Sequence, residues 1–126
     1  MKEILAFIRP DRYTQTKEEL LSRGFHAMTT KIVTGRGQCH PVLGARISPL
    51  DAFEAPDQYE MLSKKMIAIV TTDDCVDTLI DAFVTVNSRG NQGDGKIFVL
   101  PVDQSIRIST LETGAQSISD DDVVTS

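Results

Sequence analysis

A chain of 126 residues that is 40% hydrophobic and 25% charged fits one domain, large enough to bury a core and too small for two. No apolar run approaches the roughly 18–20 residues of a membrane span, so a membrane-embedded protein is not expected. The net charge of −5, the absence of Trp and the lack of any basic stripe argue against nucleic acid as a partner.

The opening stretch carries Glu3, Arg9 and Asp11 where a secretory leader needs an unbroken apolar run. Cys39 and Cys75 are too few for a disulfide scaffold, and the expected compartment is the cytoplasm. Charge is unevenly placed. Residues 112–126 hold Glu112, Asp120, Asp121 and Asp122 with no Lys or Arg, so the body 1–111 is close to neutral. The acidic end 112–126 reads as a tail, with Ser117–Ser126 expected to be disordered.

In chain order, Glu3–Arg9 reads as a strand ended by Pro10. A helix follows from about Thr14, with Thr16 and Glu19 in capping-box spacing and Gly24 as its stop. Phe25–Thr34, rich in Thr, Val and Ile, reads as a second strand that ends at Gly35-Arg36-Gly37. The order then repeats. Lys65–Thr71 is an apolar strand, and Asp73 and Asp74 suit a helix N-terminus as caps and against the macrodipole. Val76, Leu79, Ile80, Phe83 and Val84 make a helical stripe. Asn87–Gly95 is a Gly-rich loop, Lys96–Val102 a strand, and Ser105–Ser109 a short further strand.

Two β-α-β units in succession predict an α+β, ferredoxin-like fold, an antiparallel sheet with both helices on one face. The helices leave the other face uncovered. Yet Leu5 and Phe7 oppose Ile4 and Ile8, while Met66–Val70 and Ile97–Leu100 are apolar at every position. Other copies of the chain are the simplest cover, so a homo-oligomer is expected. Residues 38–64 fit neither unit. Their apolar residues lack a period, with Arg36, His40 and Arg46 toward one end and Asp51, Glu54, Asp57 and Glu60 toward the other. A loop of that length is either functional, facing a protein partner, or simply solvated.

Residues 90–96, GNQGDGK, match most of a G-x-x-x-x-G-K string, but Ile97 takes the hydroxyl position and a strand follows where a P-loop has a helix. A P-loop ATPase is thereby rejected. What remains is a choice between an anion cradle, built of glycine backbone N–H groups with Lys96, and a plain Gly-rich turn. Arg107 offers a guanidinium fork to a phosphate. His26 and His40 have no nucleophile with an orienting acid beside them, so no enzyme is expected. Cys39-His40 is a weak signal for a soft metal, and Cys75 reads as a buried small side chain.

These residues carry a family resemblance. Ile8-Arg9-Pro10, Gly35-x-Gly37, Asp73-Asp74-x-Val76-Asp77-Thr78, Gly93-Asp94-Gly95-Lys96-Ile97-Phe98-Val99 and Ile106-Arg107-Ile108 stand in this order on a double β-α-β. Over about residues 1–36 and 62–109 the chain resembles the PII signal-transduction family. The resemblance implies a PII-like domain over 1–111 that assembles as a homotrimer. It implies ATP or ADP as ligands in the clefts between subunits, and a mobile T-loop at 37–62 that engages and regulates a target protein. Thr29, Gly35, Arg36, Gly37, Val70, Gly93, Asp94, Gly95, Lys96 and Arg107 fall on nucleotide-binding positions of the family. Gln38, Cys39 and Lys64 fall where Mg2+ and 2-oxoglutarate are held. The first strand, Thr16-Lys17-Glu18 and Gly35-Arg36-Gly37 look most like the nitrogenase-associated branch, so nitrogenase or a transporter is the kind of target implied.

The departures are specific. Cys39 stands where the family has a glutamine, and a thiol is a poor ligand for hard Mg2+. Ser109 replaces a second phosphate-contacting arginine, and the uridylylated tyrosine motif is missing. An alternative therefore stays open: a divergent PII-like trimer that senses another small molecule, or a soft metal through Cys39-His40.

Overall fold

The computed structural model describes residues 1–35 and 62–118. Its regular elements are β1 (Lys2–Ile8), α1 (Tyr13–Ser22), β2 (Thr29–Gly35), β3 (Leu62–Thr71), α2 (Val76–Asn87) and β4 (Gly95–Pro101). The four strands form one antiparallel sheet in the order β2-β3-β1-β4, which is the ferredoxin-like α+β arrangement the sequence predicts.

Register explains which side is covered. Ile4 lies opposite Ile69 and Val99, and Ala6 opposite Ile67 and Ile97, so these residues share a face. On that face Ile4, Ala6, Ile8, Ile67 and Ile69 are buried against Leu20 of α1 and Leu79, Ala82 and Phe83 of α2. Each large apolar side chain taken fully from water there contributes about 1.5–3 kcal/mol. The other face carries Leu5, Phe7, Met66, Ala68, Val70, Phe98 and Leu100, with Phe98 49% exposed in the single chain. The Phe7 and Phe98 rings meet edge to face there, 6.0 Å apart.

Several local expectations need correction. Thr16 is not an N-cap. A 3-10 turn at Pro10–Arg12 runs straight into α1, leaving Thr16 fully buried inside the helix. Its hydroxyl donates to the Arg12 carbonyl at 2.7 Å and accepts from Asn87 Nδ2 at 3.0 Å, tying α1 to α2. At the other end the stop at Gly24 is as expected: Gly24 N–H donates to Leu21 O at 3.0 Å and Phe25 N–H to Leu20 O at 2.9 Å, a Schellman closure. That closure uses the chain at Phe25, so β2 begins only at Thr29, while Phe25 and Met28 pack on the core instead of joining the sheet.

Asp73 and Asp74 lie in a 3-10 turn before α2 and make no side-chain cap. Asp73 instead binds the N-terminal ammonium at 3.0 Å and Lys2 at 3.3 Å, and Asp74 accepts from the Thr72 hydroxyl. The apolar stripe of α2 is rotated from the expected one. Ala82 and Asn87 are buried and Val84 is 47% exposed, because the Asn87–Thr16 hydrogen bond turns that side of the helix inward.

β3 starts three residues earlier than expected, paired through Leu62 with Gly35, so the sheet reaches both ends of the segment 36–61. Ser105–Ser109 is not a strand but contributes one isolated bridge, Ile106 to Thr113. Of the acidic end, Gly114–Ile118 forms a 3-10 turn whose Ser117 hydroxyl meets Ser105 Oγ at 2.6 Å; residues 119–126 lie outside the described residues.

Candidate functional site

The turn between α2 and β4 is built around Asp94. Its Oδ2 accepts the backbone N–H of Arg89 at 2.7 Å and of Asn91 at 3.1 Å, closing residues 89–94 on one carboxylate. These two backbone donors, opposed by desolvation and helped by the charges of Arg9 and Arg89, hold the Asp94 carboxyl below the ordinary aspartate value. Two cations from distant strands then tie the turn down. Arg9, at the end of β1, donates from Nη2 to the Gln92 carbonyl at 2.8 Å, with Nε 3.6 Å from Asp94 Oδ1. Lys64, near the start of β3, donates to the Gly93 carbonyl at 2.5 Å.

Gly95 begins β4 at φ +132°, paired with Ile8. A Cβ there would sit 2.2 Å from the Phe7 carbonyl oxygen, so only glycine lets the turn lie this close to β1. Lys96 follows, opposite Phe7 and on the open face. The turn therefore offers glycine backbone together with Arg9, Lys64 and Lys96 around it, an arrangement suited to an anion.

The remaining sequence candidates fall into two groups. Thr29 opens β2 opposite Ala68, and Val70 lies opposite Glu3, so both belong to the open face with Lys96. Gly35 closes β2 against Leu62. Arg107 lies beyond β4, its backbone bonded to Glu112 and Leu111 and its Nη2 3.3 Å from the Gln116 carbonyl, a segment apart from the glycine turn. Arg36, Gly37, Gln38 and Cys39 lie outside the described residues. Arg9 was not among the candidate ligand residues. The signal for it was a charged residue wedged between an apolar strand and Pro10.

Among the described residues no group of three or more His, Cys, Asp or Glu is placed to hold a metal ion. No helix among them is long and apolar enough to cross a membrane.

Comparison with known proteins agrees with this architecture. The family model described as nitrogen regulatory protein P-II matches residues 1–112. The nitrogen fixation nifHD region GlnB-like protein 2 of Methanobacterium ivanovii is 37% identical over 121 residues, covering 94% of this chain and 99% of the relative. The nitrogen regulatory protein P-II 2 of Methanothermobacter thermautotrophicus is 36% identical over 119 residues, covering 94% and 97%. Among solved structures, PII from Arabidopsis thaliana bound to citrate superposes with a TM-score of 0.71 at 28% identity, covering 94% of this chain and 89% of that one. The shared fold, the near-complete coverage and the regulatory names of the relatives identify a non-catalytic regulator, and a homotrimer is consistent with them. The chain belongs to the nitrogen regulatory protein P-II family.

Proposed function

We propose that the chain is a cytoplasmic, homotrimeric adenine-nucleotide sensor of nitrogen metabolism whose segment 37–62 acts as a T-loop on a target protein such as nitrogenase or a transporter. The observation that carries the proposal is the glycine turn pressed against β1, with Gly95 on the Phe7 carbonyl and Arg9, Lys64 and Lys96 around it. It is the geometry a phosphate chain needs: close backbone approach and convergent positive charge.

In this reading Gly93, Asp94, Gly95 and Lys96 hold the phosphates of ATP or ADP. Asp94 does so indirectly, since its carboxylate organises the turn. Val70 and Thr29, on the same open face, offer surface to the base, and Gly35 at the end of β2, with Arg36 and Gly37 next in sequence, completes the assigned nucleotide positions. Arg107 reaches the phosphates from a neighbouring copy. The apolar open face supports the assembly, because Val70, Phe98 and Leu100 are too exposed in one chain to be left in water. The domain spans 1–111, and ligands act by shifting the T-loop between conformations that a partner reads.

Lys64 links the two parts. It holds the Gly93 carbonyl from a position two residues into β3, where the chain returns from the T-loop. A carboxylate co-ligand such as 2-oxoglutarate would compete for that ammonium, and in this reading Gln38 and Cys39 are the other residues assigned to it. The donor set does not suit Mg2+: a thiol stands at 39, the Asp94 carboxylate is taken up by the turn, and Mg2+ demands hard oxygen ligands.

Calorimetric titration of the full chain with ATP and ADP, with and without 2-oxoglutarate, tests the proposal. Wild type binds nucleotide saturably; Lys96→Ala abolishes binding while light scattering still reports a trimer. Unchanged affinity in Lys96→Ala overturns the site. If 2-oxoglutarate tightens ATP binding, Cys39 is tolerated and the protein is a carbon–nitrogen sensor. If it changes nothing, the nitrogen-sensing part of the proposal falls and the protein reports energy charge.

A further inference from the structure

The connection from α2 to β4 is held near both of its ends by one short piece of chain. The 3-10 turn Pro10–Arg12, between β1 and α1, follows Arg9 and ends on Arg12. Arg9 donates from Nη2 to the Gln92 carbonyl at 2.8 Å, inside the glycine turn. Arg12 donates from Nη2 to the Val86 carbonyl at 2.7 Å, in the last turn of α2. The piece itself is stiff. Pro10 fixes φ at its start, Arg12 N–H donates to the Arg9 carbonyl at 3.0 Å, and Tyr13 N–H donates to the Pro10 carbonyl.

Arg12 reaches α2 by a second route as well. Its carbonyl accepts the Thr16 hydroxyl at 2.7 Å, and Thr16 Oγ1 accepts from Asn87 Nδ2 at 3.0 Å. The last carbonyls of a helix have no partner within it, and a cation there also meets the negative end of the helix dipole. Arg12 answers both demands and so fixes where α2 ends. Residues 88–94 alone then span from Asn87 to Gly95, whose place against the Phe7 carbonyl oxygen leaves no room even for a Cβ. The N–H of Arg89, close behind Asn87, is one of the two that Asp94 binds, so a shift of the helix end passes directly into the turn.

We infer that Arg12 is a positioning residue for the anion site: it acts through the Val86 carbonyl to set where the glycine turn starts, and thereby how the turn's backbone meets a phosphate chain. The inference rests on the nucleotide reading for its ligand, and on hydrogen bonds alone for the placement of the turn. Arg23 provides the contrast. It also joins the two helices, pairing with Glu19 at 2.9 Å and Asp81 at 2.8 Å. It grips α2 at Thr78 and Asp81, ahead of the last turn, so its loss loosens the helix pair while Val86 stays held.

Four variants of the full-length protein test it: Arg12→Met, Arg12→Gln, Arg12→Lys and Arg23→Met. Methionine keeps an apolar stem without a donor, and glutamine is too short to reach Val86. Lysine keeps charge and donor, and the contact needs only one N–H. Calorimetry should give ATP affinity at least fivefold weaker in Arg12→Met and Arg12→Gln, and within twofold of wild type in Arg12→Lys and Arg23→Met. Circular dichroism and light scattering should match wild type throughout; if Arg12→Met does not fold, Arg12→Gln decides. Amide hydrogen exchange, read by NMR without nucleotide, reports the turn itself. Protection of the Arg89 and Asn91 N–H groups should fall at least fivefold in Arg12→Met and Arg12→Gln, and stay at the wild-type level in Arg23→Met. Affinity or protection in the folded Arg12 variants equal to that in Arg23→Met overturns the inference. A wild type that binds no ATP overturns the nucleotide reading instead, and the exchange comparison still decides whether Arg12 places the turn.

Discussion

Gly95→Ala isolates the close approach on which the anion site is built. At φ +132° an L-residue is strained, at a cost of about 1–3 kcal/mol. The added methyl would lie 2.2 Å from the Phe7 carbonyl oxygen, and β1 or the turn must give by more than an ångström to restore ordinary contact. Overpacking of that kind adds about 1–3 kcal/mol, so the substitution should cost about 2–6 kcal/mol in all. Gly90→Ala is the internal control. Its φ is also positive, at +74°, but nothing lies within 4 Å of the added Cβ, so only the backbone strain of about 1–2 kcal/mol remains. Urea unfolding of both variants and wild type at one protomer concentration gives the comparison, since stability of an assembly depends on concentration. Nucleotide affinity, measured in parallel on the folded fraction, should fall at least tenfold in Gly95→Ala and stay near wild type in Gly90→Ala. A Gly95→Ala variant no less stable than Gly90→Ala would refute the contact.

Asp94 makes the turn acid-sensitive. Its carboxyl is held below the ordinary value in the folded chain by the Arg89 and Asn91 backbone donors, so the stabilisation is present above the unfolded value near 3.8 and is lost as pH falls through the lower folded value. Asp73, lowered by the N-terminal ammonium and then Lys2, acts in the same sense. Asp94→Asn should therefore be less stable than wild type at pH 7, with the gap narrowing below pH 4 in acid-unfolding curves; a gap constant with pH would refute the assignment. Phe98→Asp places a charge on the open sheet face and removes the edge-to-face pair with Phe7. Light scattering should report monomer with the helical circular dichroism retained, whereas a trimer persisting at micromolar concentration would show that this face is not the contact.

Much of the fold was legible because its signals are local. Short apolar runs and β-branched content marked the four strands, Pro10 and Gly24 punctuated the first unit, and the repeated β-α-β order led to the sheet topology. The doubly apolar strands also announced a second face in need of cover. Two of the misreadings share one cause. Thr16 fits a capping box by spacing, but its hydroxyl is claimed by Asn87 across 71 residues; Asp73 suits a cap, but the N-terminal ammonium reaches it first. In each case a long-range partner outbid the local one.

The same division runs through the candidate site. The glycines and Lys96 could be picked from the sequence, since a turn that needs positive φ and close backbone approach has few residues to choose from. Arg9 on Gln92 and Lys64 on Gly93 could not, because those contacts join residues 83 and 29 positions apart and exist only once β1, β3 and the turn are brought to one end of the sheet. The chain by itself determined the strands, the helices, the apolar second face and the glycine turn, all encoded by spacing of a few residues. Only the tertiary structure decided which cations brace that turn. Those depend on strand order and register, and no short stretch of sequence carries them.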